Sequence, residues 1–170
     1  YRIAFGGGLF EPAMIYLAGD HRGYELKEKM KRWLREWGFE FEDVGPLEYD
    51  PKDDYPEFVH RAAEKISQDP EKSFAIVMGN SGQGEAMVAN KYKHVRAVVY
   101  YGGKFPEMVK LTKEHNHANV LSLAATFISE DEAKDMVKIW LSTPFTFEER
   151  HVRRLKEIEQ IEETGKLQHG

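Results

Sequence analysis

The 170-residue chain contains no cysteine. That rules out disulfides, a thiolate nucleophile and cysteine-ligated zinc, and it fits a cytoplasmic protein. No apolar run approaches the ~20 residues that cross a bilayer, so no membrane association is expected. Positive charge is not in excess either: 24 Lys and Arg stand against 29 Asp and Glu, a net charge of −5, which argues against nucleic acid as a partner. Two phosphate-binding signatures are also missing. The pattern G-x-x-x-x-G-K-[ST] does not occur, and Gly79, Gly82 and Gly84 are wrongly spaced for a dinucleotide fingerprint. What is present is apolar material, 41% hydrophobic and 12% aromatic, enough for one globular domain with a substantial core.

Residues 1–13 read as an expression-derived or alternative-start extension, marked by Gly6-Gly7-Gly8 and ending where a strand pattern begins at Met14. Residues 14–170 then form a single domain. Met14 to Ala18 is a short apolar strand. Tyr24 to Trp37 places Leu26, Met30, Trp33, Leu34 and Trp37 on one helical stripe closed by Gly38. Phe39 to Val44 alternates as a strand, and Pro56 opens a helix to about Ile66. Further strands are expected at Phe74–Met78, Val95–Tyr100 and Asn119–Leu123. Helices are expected from Met87, over Pro106–Glu114, over Glu130–Ser142 and over Thr146–Glu163. Strictly alternating strands and helices predict an α/β chain: a Rossmann-like three-layer α/β/α sandwich around a mostly parallel five-stranded sheet.

In such sheets ligands bind beyond the carboxyl ends of the strands. Asp20-His21 follows the first strand, and the turn Gly79-Asn80-Ser81-Gly82-Gln83-Gly84-Glu85 follows the third. His115-Asn116-His117 comes just before the fifth. Three glycines in six residues let the backbone approach a ligand and aim several N–H groups at one point, with the Glu85 carboxylate beside it. An anion cradle next to a carboxylate suits the making and stabilising of an enediolate. Arg150 and Arg154, at i and i+4, can fork onto one anion, with Glu148 and Glu149 upstream offsetting part of that charge. Plainer roles exist for each piece. The glycine turn can be purely structural, Asp20 can cap the following helix, and His115 with His117 can form a polar loop or ligate a metal.

Taken in order, six stretches resemble the type B ribose-5-phosphate isomerase family, which includes the galactose-6-phosphate isomerase subunits. They are Gly19-Asp20-His21-Arg22-Gly23, Asp54-Tyr55-Pro56, Gly79 to Lys91, Glu114-His115-Asn116 with Ala118 to Leu121, Trp140 to Phe145, and Arg150-His151 with Arg154. The resemblance implies an aldose–ketose isomerase acting on a sugar phosphate, with no metal and no organic cofactor. It also implies a homodimer, or a tetramer, whose active sites are built from both subunits. The family divides over its base: one branch has cysteine at the position of Gly79, the other glutamate at the position of Glu85, as here.

The roles that follow are Glu85 as the base, Ser81 as a proton shuttle and His115 for ring opening, with His21 or His151 in reserve. Gly79, Asn80, Gly82, Gln83 and Gly84 supply the anion hole. Asp20, Tyr55 and Asn116 hold hydroxyls, while Arg150, Arg154 and His21 hold the phosphate. Three departures bear on the sugar. Thr126 stands where many relatives carry arginine, the loop Tyr100 to Phe105 is longer than usual, and Glu148-Glu149 replaces a glycine pair. Lys104 on that loop is a candidate replacement for the missing charge. Alternatives are an isomerase of a six-carbon or unphosphorylated sugar, or a non-catalytic sugar-phosphate-binding relative.

Overall fold

The computed structural model describes residues 12–168. Strands β1 (Met14–Gly19), β2 (Phe41–Asp43), β3 (Ser73–Gly79), β4 (Ala97–Tyr100) and β5 (Val120–Ala124) form one sheet in the order β2-β1-β3-β5-β4. Every pairing is parallel. The helices are α1 (Tyr24–Trp37), α2 (Tyr55–Gln68), α3 (Gln83–Ala89), α4 (Pro106–Glu114), α5 (Glu130–Ser142) and α6 (Glu149–Thr164).

The central strand β3 is buried at all seven positions, and its alternation sorts the two layers. Phe74, Ile76 and Met78 face α1, α4 and α5, where Trp33, Leu34, Val137 and Trp140 complete the larger core. Ala75 and Val77 face Val59, Ala62, Ala63 and Ile66 of α2 and Ala89 of α3. Small residues on that second face let α2 and α3 lie close to the sheet, and because each follows a parallel strand its start lies at the carboxyl edge. Among the described residues no helix is long and apolar enough to cross a membrane.

The elements agree with the sequence reading except at some boundaries. β2 begins at Phe41, because the Phe39 amide closes α1 by donating to the Leu34 carbonyl (2.9 Å) instead of joining the sheet. α3 begins at Gln83, so Glu85 lies inside its first turn rather than ahead of it. α6 begins at Glu149, three residues later than the pattern indicates. The extension expected at residues 1–13 falls mostly outside the described residues. Of its last two, Pro12 is buried and the Ala13 amide donates to the Lys72 carbonyl at 2.7 Å.

α4 ends just before His115, and its last turn is anchored by Lys113, only 2% exposed. The Lys113 ammonium lies 3.6 Å from the centre of the Phe74 ring and 4.5 Å from that of Trp140. No carboxylate pairs with it among the described residues. Burial, aided by Arg96, pushes its pKa down to about 7, against what the two ring faces return. Between pH 7 and 10.5 the unfolded chain therefore holds a proton that the folded chain has released, and stability rises with pH across that window. Lys113→Met keeps the contact with both rings and removes the buried charge. It is expected to raise the Tm below pH 7, with the advantage shrinking above it, as followed by thermal unfolding across that range.

Candidate active site

The carboxyl edge of the sheet carries a cavity of about 390 Å³, lined by Asp20, His21, Tyr55, Asn80, Ser81 and Glu85 among others. Asp20, 6% exposed, accepts the amides of Arg22 (2.9 Å) and Gly23 (3.1 Å). The side chain thus closes the turn ahead of α1 while lining the cavity; it does not cap the helix, whose N-cap is Gly23. His21 is held by Asp53, whose Oδ1 accepts both the His21 backbone amide and Nδ1 at 2.8 Å. An ionised carboxylate can only accept, so Nδ1 carries the proton and Nε2 is left for a ligand. Asp53 has a side chain only 5% exposed.

Glu85 is 3% exposed. Its carboxylate occupies the space that a side chain at 79 would fill: a Cβ built on Gly79 would overlap Oε1. Gly84 does the same for Tyr55, whose hydroxyl would lie only 2.5 Å from a Cβ at that position. Each glycine seats a neighbouring polar group, and the turn is the floor of the cavity. Burial raises the Glu85 pKa above the ordinary carboxylate value and the Asp20 charge adds to this, while a hydrogen bond from its own amide pulls the other way.

The turn is pinned from β5. The Ser122 hydroxyl donates to the Gly82 carbonyl (2.6 Å), the Ala125 amide to the Gly79 carbonyl (2.9 Å) and the Thr126 hydroxyl to Asn80 Oδ1 (2.7 Å). Ser81 stays on the cavity wall, its hydroxyl accepting the Gln83 amide at 3.4 Å. Gln83 itself lines a different groove, between α3 and β4. Lys104 is drawn toward α5, its amide donating to Glu132 (2.8 Å) next to the Tyr100 hydroxyl on the same oxygen.

The remaining expected residues lie at the other edge. In an all-parallel sheet a residue that precedes a strand sits at its amino end, and His115 and Asn116 precede β5. This differs from the reading that placed them with the strand-end ligands. Five residues of β5 at about 3.3 Å each make the sheet about 16 Å deep there. α6 brings Arg150, His151 and Arg154 to this edge, where the His151 ring stacks on His115 with centres 4.1 Å apart. His151 is buried; burial and then His115 lower its pKa, and its Nε2 finds no hydrogen bond among the described residues. Glu148 lies 3.0 Å from Arg150 and 3.7 Å from His151, offsetting part of their charge.

The metal alternative for His115 with His117 has no geometric support. His117 turns away to stack flat on Phe145 (4.5 Å), and burial among Arg96 and Lys113 pushes its pKa down to about 4. Asp20, His21 and Asp53 do bring ligand atoms within 4.8 Å of one another. One oxygen of each aspartate, however, is already committed to amides or to His21.

Two residues of this edge had been given no role in the sequence. Asp53 stands beside the quoted Asp54-Tyr55-Pro56, and nothing in the spacing tells which aspartate turns inward. Arg22 was quoted inside its motif, yet the structure puts it on the cavity wall.

The chain matches the family model described as Ribose/Galactose Isomerase over residues 15–158. It is 36% identical over 150 residues to ribose-5-phosphate isomerase B of Mycobacterium tuberculosis, covering 88% of this chain and 90% of that protein. It also resembles the crystal structure of ribose-5-phosphate isomerase B from Mycoplasma genitalium with bound ribulose-5-phosphate. That match has a TM-score of 0.85 at 32% identity, covering 91% of this chain and 99% of that one. The enzyme of the same name from Clostridium thermocellum superposes with a TM-score of 0.82 at 32% identity, covering 90% and 99%.

A buried carboxylate with a raised pKa destabilises the fold when it is ionised. Between the unfolded value near 4.5 and the higher folded one, the folded chain holds the extra proton, so its stability falls as pH rises. Glu85→Gln is therefore expected to raise the Tm by a few degrees at neutral pH. The gain should close as pH falls toward 4.5, as read by thermal unfolding of both proteins.

Proposed function

The chain belongs to the ribose/galactose isomerase family and is a sugar-phosphate aldose–ketose isomerase, and from this we propose that it interconverts ribose 5-phosphate and ribulose 5-phosphate through an enediolate, with Glu85 as the base. The observation that carries this reading is the Glu85 carboxylate seated on Gly79, desolvated and facing the cavity with Asp20, Tyr55 and Ser81. A carbon acid needs a strong base held close to it, and burial makes this carboxylate more basic than one in water. Glu85 takes the proton from C2 and returns it to C1. Amides of the turn Gly79–Gly84 stabilise the oxyanion as it develops, and Ser81 passes a proton between the two sugar oxygens. Asp20 and Tyr55 hold hydroxyls.

Ring opening needs a second acid–base group. His115, with His151 stacked on it, suits that task, and Asn116, Arg150 and Arg154 accompany it on the same edge. One chain cannot bring this edge to its own Glu85. We therefore assign the working unit as a homodimer, or a tetramer of such pairs, in which the amino edge of one subunit closes the Glu85 cavity of the other. A two-fold pairing makes two such composite sites.

Glu85→Gln is expected to lower kcat by on the order of 10²–10⁴-fold and to stop exchange of the C2 hydrogen with deuterated water, while sugar-phosphate binding persists. Retained turnover would remove Glu85 as the base. In the wild type the acid limb of kcat/KM should lie above pH 4.5, since burial raises the carboxylate pKa, and a limb at or below that value would contradict it. Subunit mixing tests the shared site. Inactive Glu85→Gln and inactive His115→Ala proteins, unfolded and refolded together in equal amounts, should recover about a quarter of wild-type activity, since half the dimers then carry one intact site. No recovery would mean that both residues act within one subunit.

A further inference from the structure

The cavity around Glu85 shares the wall formed by His21 and Arg22 with a second, outer cavity of about 690 Å³. Tyr24, Glu25, Tyr49 and Thr126 line the outer one. Among the described residues Arg22 is the sole lysine or arginine across both linings. Its side chain is exposed, and among the described residues no carboxylate lies within ion-pair distance of its guanidinium.

The acidic groups nearby are engaged elsewhere. Asp20 accepts the amides of Arg22 and Gly23, Asp53 holds His21, and Glu25 pairs with Lys29 at 2.9 Å. Thr126 offers only a hydroxyl, and that hydroxyl is donated to Asn80. Arg22 also sits just ahead of the fourteen-residue helix α1, whose N-terminal end favours negative charge. A planar guanidinium without an internal partner, standing between a reaction chamber and a roomy outer chamber, is suited to a tetrahedral dianion.

We propose that Arg22 binds the phosphate of the substrate from this subunit's side, with His21 beside it, and so sets the preference for a phosphorylated over a free sugar. This rests on the isomerase reading above. The reacting carbons lie at Glu85 in the inner cavity, and the far end of the carbon chain reaches the wall where Arg22 stands. Arg22 takes no part in proton transfer, so its effect falls on binding that the ground state and the transition state share.

The test compares wild type, Arg22→Gln and Arg22→Lys with ribose 5-phosphate and with free ribose. It also measures binding of a pentitol 5-phosphate, which cannot isomerise, by calorimetry. Arg22→Gln should raise KM for ribose 5-phosphate about 10- to 100-fold with kcat little changed, the size of one lost charge-assisted contact. It should weaken pentitol phosphate binding in parallel and leave the rate with free ribose unaltered. Arg22→Lys should recover part of the affinity, because lysine keeps the charge but not the fork. An unchanged KM for ribose 5-phosphate, or equal losses with phosphorylated and free sugar, overturns the assignment.

The two readings fail separately. If the wild type binds the pentitol phosphate but isomerises nothing, and Arg22→Gln weakens that binding, the reaction reading falls and the phosphate assignment stands. If turnover is normal and pentitol phosphate affinity is indifferent to Arg22, the reverse holds. A wild type that neither isomerises ribose 5-phosphate nor binds the pentitol phosphate overturns both.

Discussion

Every strand of this sheet points the same way, and the distribution of chemistry follows from that. Parallel strands joined by helices give a sheet two unlike edges: one receives strand ends and helix starts, the other helix ends and strand starts. Helix starts concentrate unpaired amides and positive potential. The carboxyl edge can therefore hold anions and a developing oxyanion, and its acidic side chains are tied down by backbone amides or by His21. At the amino edge the start of α6 is the one helix start among the described residues, and there the chain carries its stacked imidazoles and exposed arginines. The fold separates the carboxylate proposed for proton abstraction from the groups proposed for ring opening by the depth of the sheet.

That polarity also explains what could be read from the sequence. The amphipathic stripe of α1 and the unbroken apolar run of β3 fixed their own elements, because burial on one face or on two leaves an unmistakable period. β2 was read too long because Phe39 is apolar, while its amide serves the end of α1. α3 was read too short because Gly84 is a poor helix former, and only the structure shows Tyr55 packed where its side chain would be. Grouping His115 with the strand-end residues ignored chain direction, which the alternation of elements already contained. Asp53 was hidden for a different reason: two adjacent aspartates differ only in which one turns inward, and that is settled by His21, thirty-two residues away.

The charge pattern around the site is sparse rather than rich. Three buried or nearly buried carboxylates, Asp20, Asp53 and Glu85, surround one imidazole and one unpaired guanidinium. Such a site is acidic until it is filled. Ligand phosphate supplies negative charge that must be met by cations from the wall or, in the proposed dimer, from a second subunit, which would link the sugar to the assembly through electrostatics as well as shape.

The seat that Gly79 provides for Glu85 ties two positions of the chain together. In this chain a side chain at 79 and the glutamate carboxylate contend for one volume. Any side chain arriving at 79 would require the glutamate carboxylate to swing out of its seat, so the emptiness at 79 and the placement of Glu85 are a single constraint.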